Sequence, residues 1–324
     1  MLRWGIIGTG NIANKFARAA KNSDGGRLVA VASRGIDKAN AFADKHEIEL
    51  RFGGYDELLS SDLIDAVYIA LPHVYHTEYS IKALRAGKHV LCEKPIAVDA
   101  DELSMLIDAQ KESGKFVMEA LWTRFLPAIH KVRELCSAGE IGEVREVRAD
   151  FCYNSDSFTH QIFDKYRAGG SLLDIGIYCL NMASIILGDD VAAVQASAFV
   201  NNGVDERLNV ILSYENGARA ALSSAITLQK PGDAYIYGSK GYIHIPDFYS
   251  AKGFTVYMED GGQKRYDVSY KGNGFEEEIE EVNRAVAQGR TQSEVMPLCQ
   301  SMKITKIMDE IKSQVGIDHS VIIK

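Results

Sequence analysis

Five short apolar runs, each followed by a helical pattern, constrain the N-terminal part of this chain more than any other feature. The runs are Trp4–Ile7, Leu28–Ala32, Ala66–Leu71, His89–Cys92 and Phe116–Met118, rich in Val, Ile and Leu at successive positions. A strand with one wet face alternates apolar and polar residues. Uninterrupted runs read instead as strands buried on both faces, the condition met in a parallel sheet covered by helices. Helical patterns lie between them at Ile12–Asn22, Lys38–His46, Tyr55–Ser60, Thr77–Ala86 and Asp101–Ser113. Asp99 followed by Glu102 has the spacing of a capping box, and Gly87 and Gly114 stand where helices stop. The repeated strand–helix order predicts a doubly wound α/β domain over residues 1–122.

The remainder, residues 123–324, reads differently. A helix near Pro127–Ala138 precedes a strand near Glu143–Phe151, a polar loop to Tyr166 and a helix over about Ser171–Leu187. Strands then follow near Ala192–Val200, Leu208–Tyr214, Arg219–Ala225, Ala234–Tyr237, Gly241–Ile245 and Thr255–Met258. Asn216-Gly217 and Lys240-Gly241 separate them as hairpin turns would. Helices over Phe275–Gln288 and Pro297–Gln314 close an α+β domain with a mostly antiparallel sheet.

A chain of 324 residues accommodates these two domains, and 46% hydrophobic with 25% charged residues is ordinary for a globular protein. The balance of 36 basic against 44 acidic residues, net charge -8, argues against nucleic acid as a partner. No apolar run approaches the roughly 20 residues that span a bilayer, so no membrane partner is expected. Cys92, Cys136, Cys152, Cys179 and Cys299 lie far apart without a CxxC, the pattern of reduced thiols in a cytoplasmic protein. His73 and His76 form a close pair but lack further ligands at metal-site spacing, so no metal is expected.

Gly8-Thr9-Gly10-Asn11-Ile12-Ala13 fits G-x-G-x-x-G/A, follows a strand and opens a helix. That is the context of a dinucleotide-binding turn. Gly8 allows the tight turn, Gly10 lets a pyrophosphate approach, and the helix N-terminus supplies N–H donors. A glycine turn without ligand is the competing reading. The second strand ends in Ala32-Ser33-Arg34, where an NAD site usually carries an acidic residue. A hydroxyl and a guanidinium suit a 2′-phosphate, which predicts NADP, with NAD possible and a solvated Arg34 as the alternative.

Glu93-Lys94-Pro95 leaves the carboxyl end of the run His89–Cys92, the ligand edge of an open α/β sheet. Lys94 there could reach both nicotinamide and a substrate hydroxyl. Gly169-Gly170-Ser171 opens a helix on which Asp174 and Tyr178 stand four apart, hence on one face. The pair could bind and deprotonate a hydroxyl, given a lysine to favour the phenolate. Without further context, an ordinary first-turn carboxylate and an amphipathic core tyrosine describe the two better.

Taken together, Gly8–Ala13, Glu93-Lys94-Pro95 and Gly169-Gly170…Asp174-x-Gly176-x-Tyr178 make the chain resemble the glucose–fructose oxidoreductase/inositol dehydrogenase (Gfo/Idh/MocA) family over nearly its whole length. The resemblance implies a Rossmann domain, a second domain with a large open sheet used for homodimers or larger homo-oligomers, and NAD(P)-linked oxidation or reduction of sugar and cyclitol carbons. It carries the catalytic lysine onto Lys94 and the later acid onto Asp174. Tyr178 replaces the histidine of the inositol dehydrogenase branch. Met118–Phe125 is similar to the branch of dimeric dihydrodiol dehydrogenases and NADP-linked D-xylose dehydrogenases. The implied substrates are sugars, polyols or dihydrodiols. Tyr178 would exchange the hydroxyl proton, Lys94 would lower its pKa and orient the substrate, and Asp174 would anchor a second hydroxyl or Lys94. Leu71, Pro72, His73, His76 and Glu93 fall in loops expected to touch the cofactor. Trp122 and Phe151 would line the substrate pocket, with plain core packing the alternative. An enzyme coupling two sugars through tightly held NADP, and a non-catalytic NADP-binding regulator, are the other readings.

Overall fold

Six strands, all paired in parallel, form the first sheet: β1 (Leu2–Ile7), β2 (Gly26–Ala32), β3 (Leu50–Phe52), β4 (Ala66–Ile69), β5 (His89–Glu93) and β6 (Val117–Ala120). Their order, β3-β2-β1-β4-β5-β6, starts at the middle and winds outward twice. The computed structural model describes residues 1–155 and 161–318. Helices α1 (Asn11–Ala20), α2 (Ile36–His46), α3 (Tyr55–Leu59), α4 (His76–Arg85) and α5 (Ala100–Ser113) connect the strands. Ala66, Val67, Tyr68 and Ile69 are all 0% exposed, the burial on both faces that their uninterrupted apolar character requires. Asp99 caps α5, its Oδ1 accepting the Glu102 N–H at 2.8 Å. The reversal of strand order between β1 and β4 opens a crevice at the carboxyl edge, where doubly wound sheets bind ligands.

The second sheet has eight strands: β7 (Val144–Cys152), β8 (Val191–Asn201), β9 (Val204–Tyr214), β10 (Arg219–Ala225), β11 (Ala234–Gly238), β12 (Gly241–Ile245), β13 (Gly253–Met258) and β14 (Gln263–Asp267). Only the β7–β10 pair is parallel. Helices α6 (Pro127–Ser137) and α7 (Ile177–Leu187) pack on one face. The other face carries Tyr235, Tyr237, Tyr242 and Tyr257, with His244 stacked on Tyr235 at 4.4 Å. Within the polar loop expected before Tyr166, residues 156–160 lie outside the described residues. Lys165–Leu187 is long and apolar enough to cross a membrane by composition, contrary to the expectation that no run comes near; most of it is buried, as in a core helix.

The chain divides into two units, Met1–Trp122 with Lys271–Met302, and Thr123–Tyr270 with the chain from Lys303 on. The expected division placed all of 123–324 in the second domain. The structure corrects this, because α8 (Glu276–Ala287) returns to the first unit. There Asn283 Oδ1 accepts the indole N–H of the fully buried Trp4 at 2.9 Å, and Asn283 Nδ2 donates to Asp24 O at 2.7 Å. A buried indole needs such an acceptor, and no local sequence signal says where in the chain it comes from. The last helix, α9 (Leu298–Val315), begins in the first unit, where Leu298 joins the core.

Candidate active site

The β1–α1 turn assigns its two glycines different tasks. Gly8 has φ of +104°, and a Cβ there would meet Ala70 O at 2.3 Å. Its N–H donates to Ala32 O at 3.0 Å, which ties the turn to the end of β2. At Gly10 a Cβ would have nothing within 4 Å, so the space above the turn is open. Gly10 caps α1 without a side-chain bond, and the first turn of α1 holds no acidic residue. Open space above uncapped N–H donors, with the positive end of the helix dipole, fits a dinucleotide pyrophosphate. Ala13 is 0% exposed, where the helix meets the sheet. Thr9 and Ile12 are half-buried and Asn11 is exposed at the mouth of this turn.

Beyond β2, Ser33 is buried and donates its N–H to Phe52 O at 3.2 Å, while Arg34 is exposed. Burial raises the Tyr55 hydroxyl above its ordinary value of 10, and the Arg34 charge acts against that rise. Tyr55 meets Tyr79 edge-on at 5.1 Å, so an aromatic wall stands near the guanidinium.

The loops after β4 and β5 are tied through His76. Leu71, Pro72 and His73 are half-buried at the crevice. The expected cofactor contact of His76 is corrected by the structure. Its side chain is 0% exposed, with Nδ1 2.7 Å from Pro95 O and Nε2 2.7 Å from Leu71 O. Burial pushes its imidazole below the ordinary value, against the pull of the two carbonyls. His76 therefore holds the backbone of both loops instead of facing a ligand. Glu93 also turns inward, accepting the hydroxyl proton of the fully buried Tyr68. Burial pushes its carboxyl up to about 7, opposed by the Tyr68 bond and by the Lys94 charge. Lys94 itself is half-buried, and the Lys94–Pro95 peptide is cis. Glu278 of α8 is 0% exposed, and neither carboxylate oxygen has a hydrogen-bond partner among the described residues. Burial first, then the Glu93 charge, holds its carboxyl far above the carboxylate range.

In the second unit, the expected continuous helix over Ser171–Leu187 starts instead with a π turn, Leu172–Gly176, before α7. Asp174 lies in that turn and Tyr178 in the helix. Tyr153 donates its hydroxyl to Asp174 Oδ2 at 2.9 Å. Tyr178 is 9% exposed and edge-on to Phe151 at 5.5 Å; Phe151 in turn stacks on Tyr249 at 4.1 Å. Buried Asp205 accepts from Leu172 N–H and from the Ser171 hydroxyl, and burial pushes its carboxyl up to about 7. Arg124 donates to Asn181 Oδ1 at 2.7 Å and to Ser184 Oγ at 2.6 Å, pinning α7.

Gly8–Ile12, Ser33-Arg34, Leu71–His73 and Glu93-Lys94 thus share the carboxyl edge of the first sheet, whereas Phe151, Asp174 and Tyr178 are grouped in the second unit. Trp122 belongs to the first unit and stacks on Phe275 at 5.3 Å. Sequence reasoning missed Tyr153, Tyr249, Asp205 and Glu278. Only Tyr153 had a signal, because it stands two positions after Phe151 and so shares its side of the chain.

A family model described as an oxidoreductase family with an NAD-binding Rossmann fold matches residues 2–121, and the GFO/IDH/MocA C-terminal domain matches residues 129–244. Trans-1,2-dihydrobenzene-1,2-diol dehydrogenase of Xenopus tropicalis is 34% identical over 330 residues, covering 98% of this chain and 99% of that protein. The chain belongs to the Gfo/Idh/MocA oxidoreductase family. Within that family the human trans-1,2-dihydrobenzene-1,2-diol dehydrogenase is 31% identical, covering 98% of this chain and 97% of its own. The 3-ketoreductase KijD10 of Actinomadura kijaniata, solved with NADP and TDP-benzene, superposes with a TM-score of 0.87 at 27% identity, covering 97% of this chain and 98% of that one. This Gfo/Idh/MocA protein is an oxidoreductase with an NAD(P)-binding Rossmann unit and a second unit built on a mixed, mostly antiparallel sheet.

Proposed function

We propose that this family member is an NADP-preferring dehydrogenase/reductase acting on a hydroxyl- or carbonyl-bearing carbon of a sugar, polyol or dihydrodiol. The observation that carries the substrate class is the group Phe151, Tyr153, Asp174 and Tyr178. An acid held by a phenol and a buried tyrosine stand beside aromatic faces suited to the C–H side of a ring. When bound, the nicotinamide accepts or supplies the hydride; alignment and proton handling fall to the protein. Tyr178 exchanges the hydroxyl proton, Asp174 anchors a neighbouring hydroxyl, and Lys94 orients the reacting group. Phe151 and Trp122 face the substrate. Gly8–Ile12 with Leu71, Pro72 and His73 hold the dinucleotide, and Ser33 with Arg34 hold its 2′-phosphate. The dihydrodiol dehydrogenases that match almost end to end support this reading.

The test is reduction of NADP+ and NAD+ with a panel of aldoses, polyols, cyclitols and trans-dihydrodiols, for the parent and Lys94→Ala. Activity with NADP+ is expected on at least one class, falling about 100-fold or more in the variant while NADP binding stays measurable. A panel without activity overturns the proposed substrate class and favours an NADP-binding regulator or a substrate of another kind. Near-parental turnover by the variant removes Lys94 from the chemistry, and tighter binding of NAD+ than NADP+ overturns the Ser33–Arg34 assignment.

A further inference from the structure

Asp205 stands near the start of β9 and is 2% exposed. Its Oδ2 accepts the Leu172 N–H at 2.7 Å and the Ser171 hydroxyl at 2.8 Å. Ser171 Oγ lies 2.9 Å from Ser224 Oγ, so β9, β10 and the segment between Gly170 and Leu172 converge on one carboxyl group. Gly170 makes room for it. Its φ is +123°, and a Cβ there would fall 2.0 Å from Asp205 Oδ1. Leu172 is the first residue of the π turn that holds Asp174, and the helix that holds Tyr178 follows that turn.

A π turn is a one-residue insertion into an α-helix and persists only where its surroundings over-determine it. Here the bond to Leu172 N–H fixes the first residue of the turn from outside the helix. Without that bond the segment can relax to α geometry. Loss of one inserted residue turns everything upstream by about 100° around the axis relative to Tyr178. Asp174 would then leave the Tyr153 hydroxyl that it now accepts.

We propose that Asp205 is a positioning residue for the reaction: by holding Leu172 N–H and the Ser171 hydroxyl it sets the π turn that aims Asp174 at the Tyr153 hydroxyl, ahead of the helix that carries Tyr178. The inference rests on the roles proposed above for Asp174 and Tyr178. Asp205 touches no reacting group; it acts through the backbone of residues 171–176.

Three variants test it, assayed per mole of folded enzyme. Asp205→Ala removes both acceptors. Asp205→Asn keeps the volume and one acceptor oxygen, and carries the test if the alanine variant does not fold. Gly170→Ala leaves the carboxyl in the chain but displaces it. The expected result is a fall in kcat of about 10-fold or more for Asp205→Ala and Gly170→Ala, smaller for Asp205→Asn, with the NADP Kd within about 2-fold of the parent. Faster hydrogen exchange should be confined to the segment around Leu172. A purely structural role would move NADP binding and the thermal midpoint while leaving kcat per folded enzyme intact, and that pattern overturns the proposal. So does parental kcat in Asp205→Asn and Gly170→Ala alongside a large loss in Asp174→Asn. Parental kcat in both Asp174→Asn and Tyr178→Phe would instead bring down the site roles themselves, and this inference with them.

Discussion

Glu93 places a group that titrates near neutrality at the root of the Lys94 loop. Burial raises its carboxyl from an ordinary 4.5 to about 7. Between these values the folded protein keeps a proton that the unfolded chain has released. The stability linked to Glu93 is therefore full below about 4.5, declines as pH rises, and is lost above about 7. Asp205 acts with the same sign, so the diagnostic quantity is a difference between parent and variant. Relative to Glu93→Gln, the parent should lose up to about 3 kcal/mol of unfolding free energy across this window. Urea titrations at a series of pH values measure it, and parallel curves for the two proteins would refute the assignment. Legibility at this scale was uneven. Glu93 and Lys94 were visible as a motif, but that the glutamate turns toward Tyr68, and that His76 turns inward to two carbonyls, depends on packing that no spacing encodes.

At the scale of elements, the β1–α1 turn separates folding from binding within one motif. Gly8→Ala forces a Cβ against Ala70 O in a backbone conformation that alanine resists, and should destabilise the protein by about 1–3 kcal/mol. Gly10→Ala puts its methyl into open space above α1. It should leave the thermal midpoint near the parent but weaken NADP binding about 10-fold or more by blocking close approach of the pyrophosphate. Binding and melting data on the two variants give the contrast; similar effects on both properties would refute it. The fingerprint was legible because glycines, a strand and a helix start coincide locally. The π turn was not, because the four-residue spacing of Asp174 and Tyr178 is the same whether the preceding turn is α or π. β3 alternates Leu50, Arg51 and Phe52 but is only three residues long, too short for the period to stand out, and β14 is exposed at all but one position.

For the whole molecule, one face of the eight-stranded sheet carries exposed apolar and aromatic side chains. Ile211 is 38% exposed, and the pairing register puts it in one row across the sheet with Ala221, Arg148, Tyr235 and His244. Phe199, 49% exposed under the Arg207 guanidinium, extends the apolar and aromatic surface. Contiguous patches of this kind mark association surfaces, and we expect a homodimer through this face. Ile211→Glu combined with Tyr235→Glu should convert dimer to monomer in size-exclusion chromatography with light scattering, with NADP binding retained. A parental dimer in the double variant would place the interface elsewhere.

The sequence by itself determined the strand–helix alternation, the dinucleotide turn and the family, because each is written in residues close together in the chain. Only the tertiary structure decided which strand ends share an edge, that α8 returns to cover Trp4, and that Asp205 anchors a π turn more than 25 residues earlier in the chain. The reason is physical. Apolar period and turn chemistry act between neighbours. A buried polar group must find its partner wherever the fold brings one, and the chain order carries no mark of where that is.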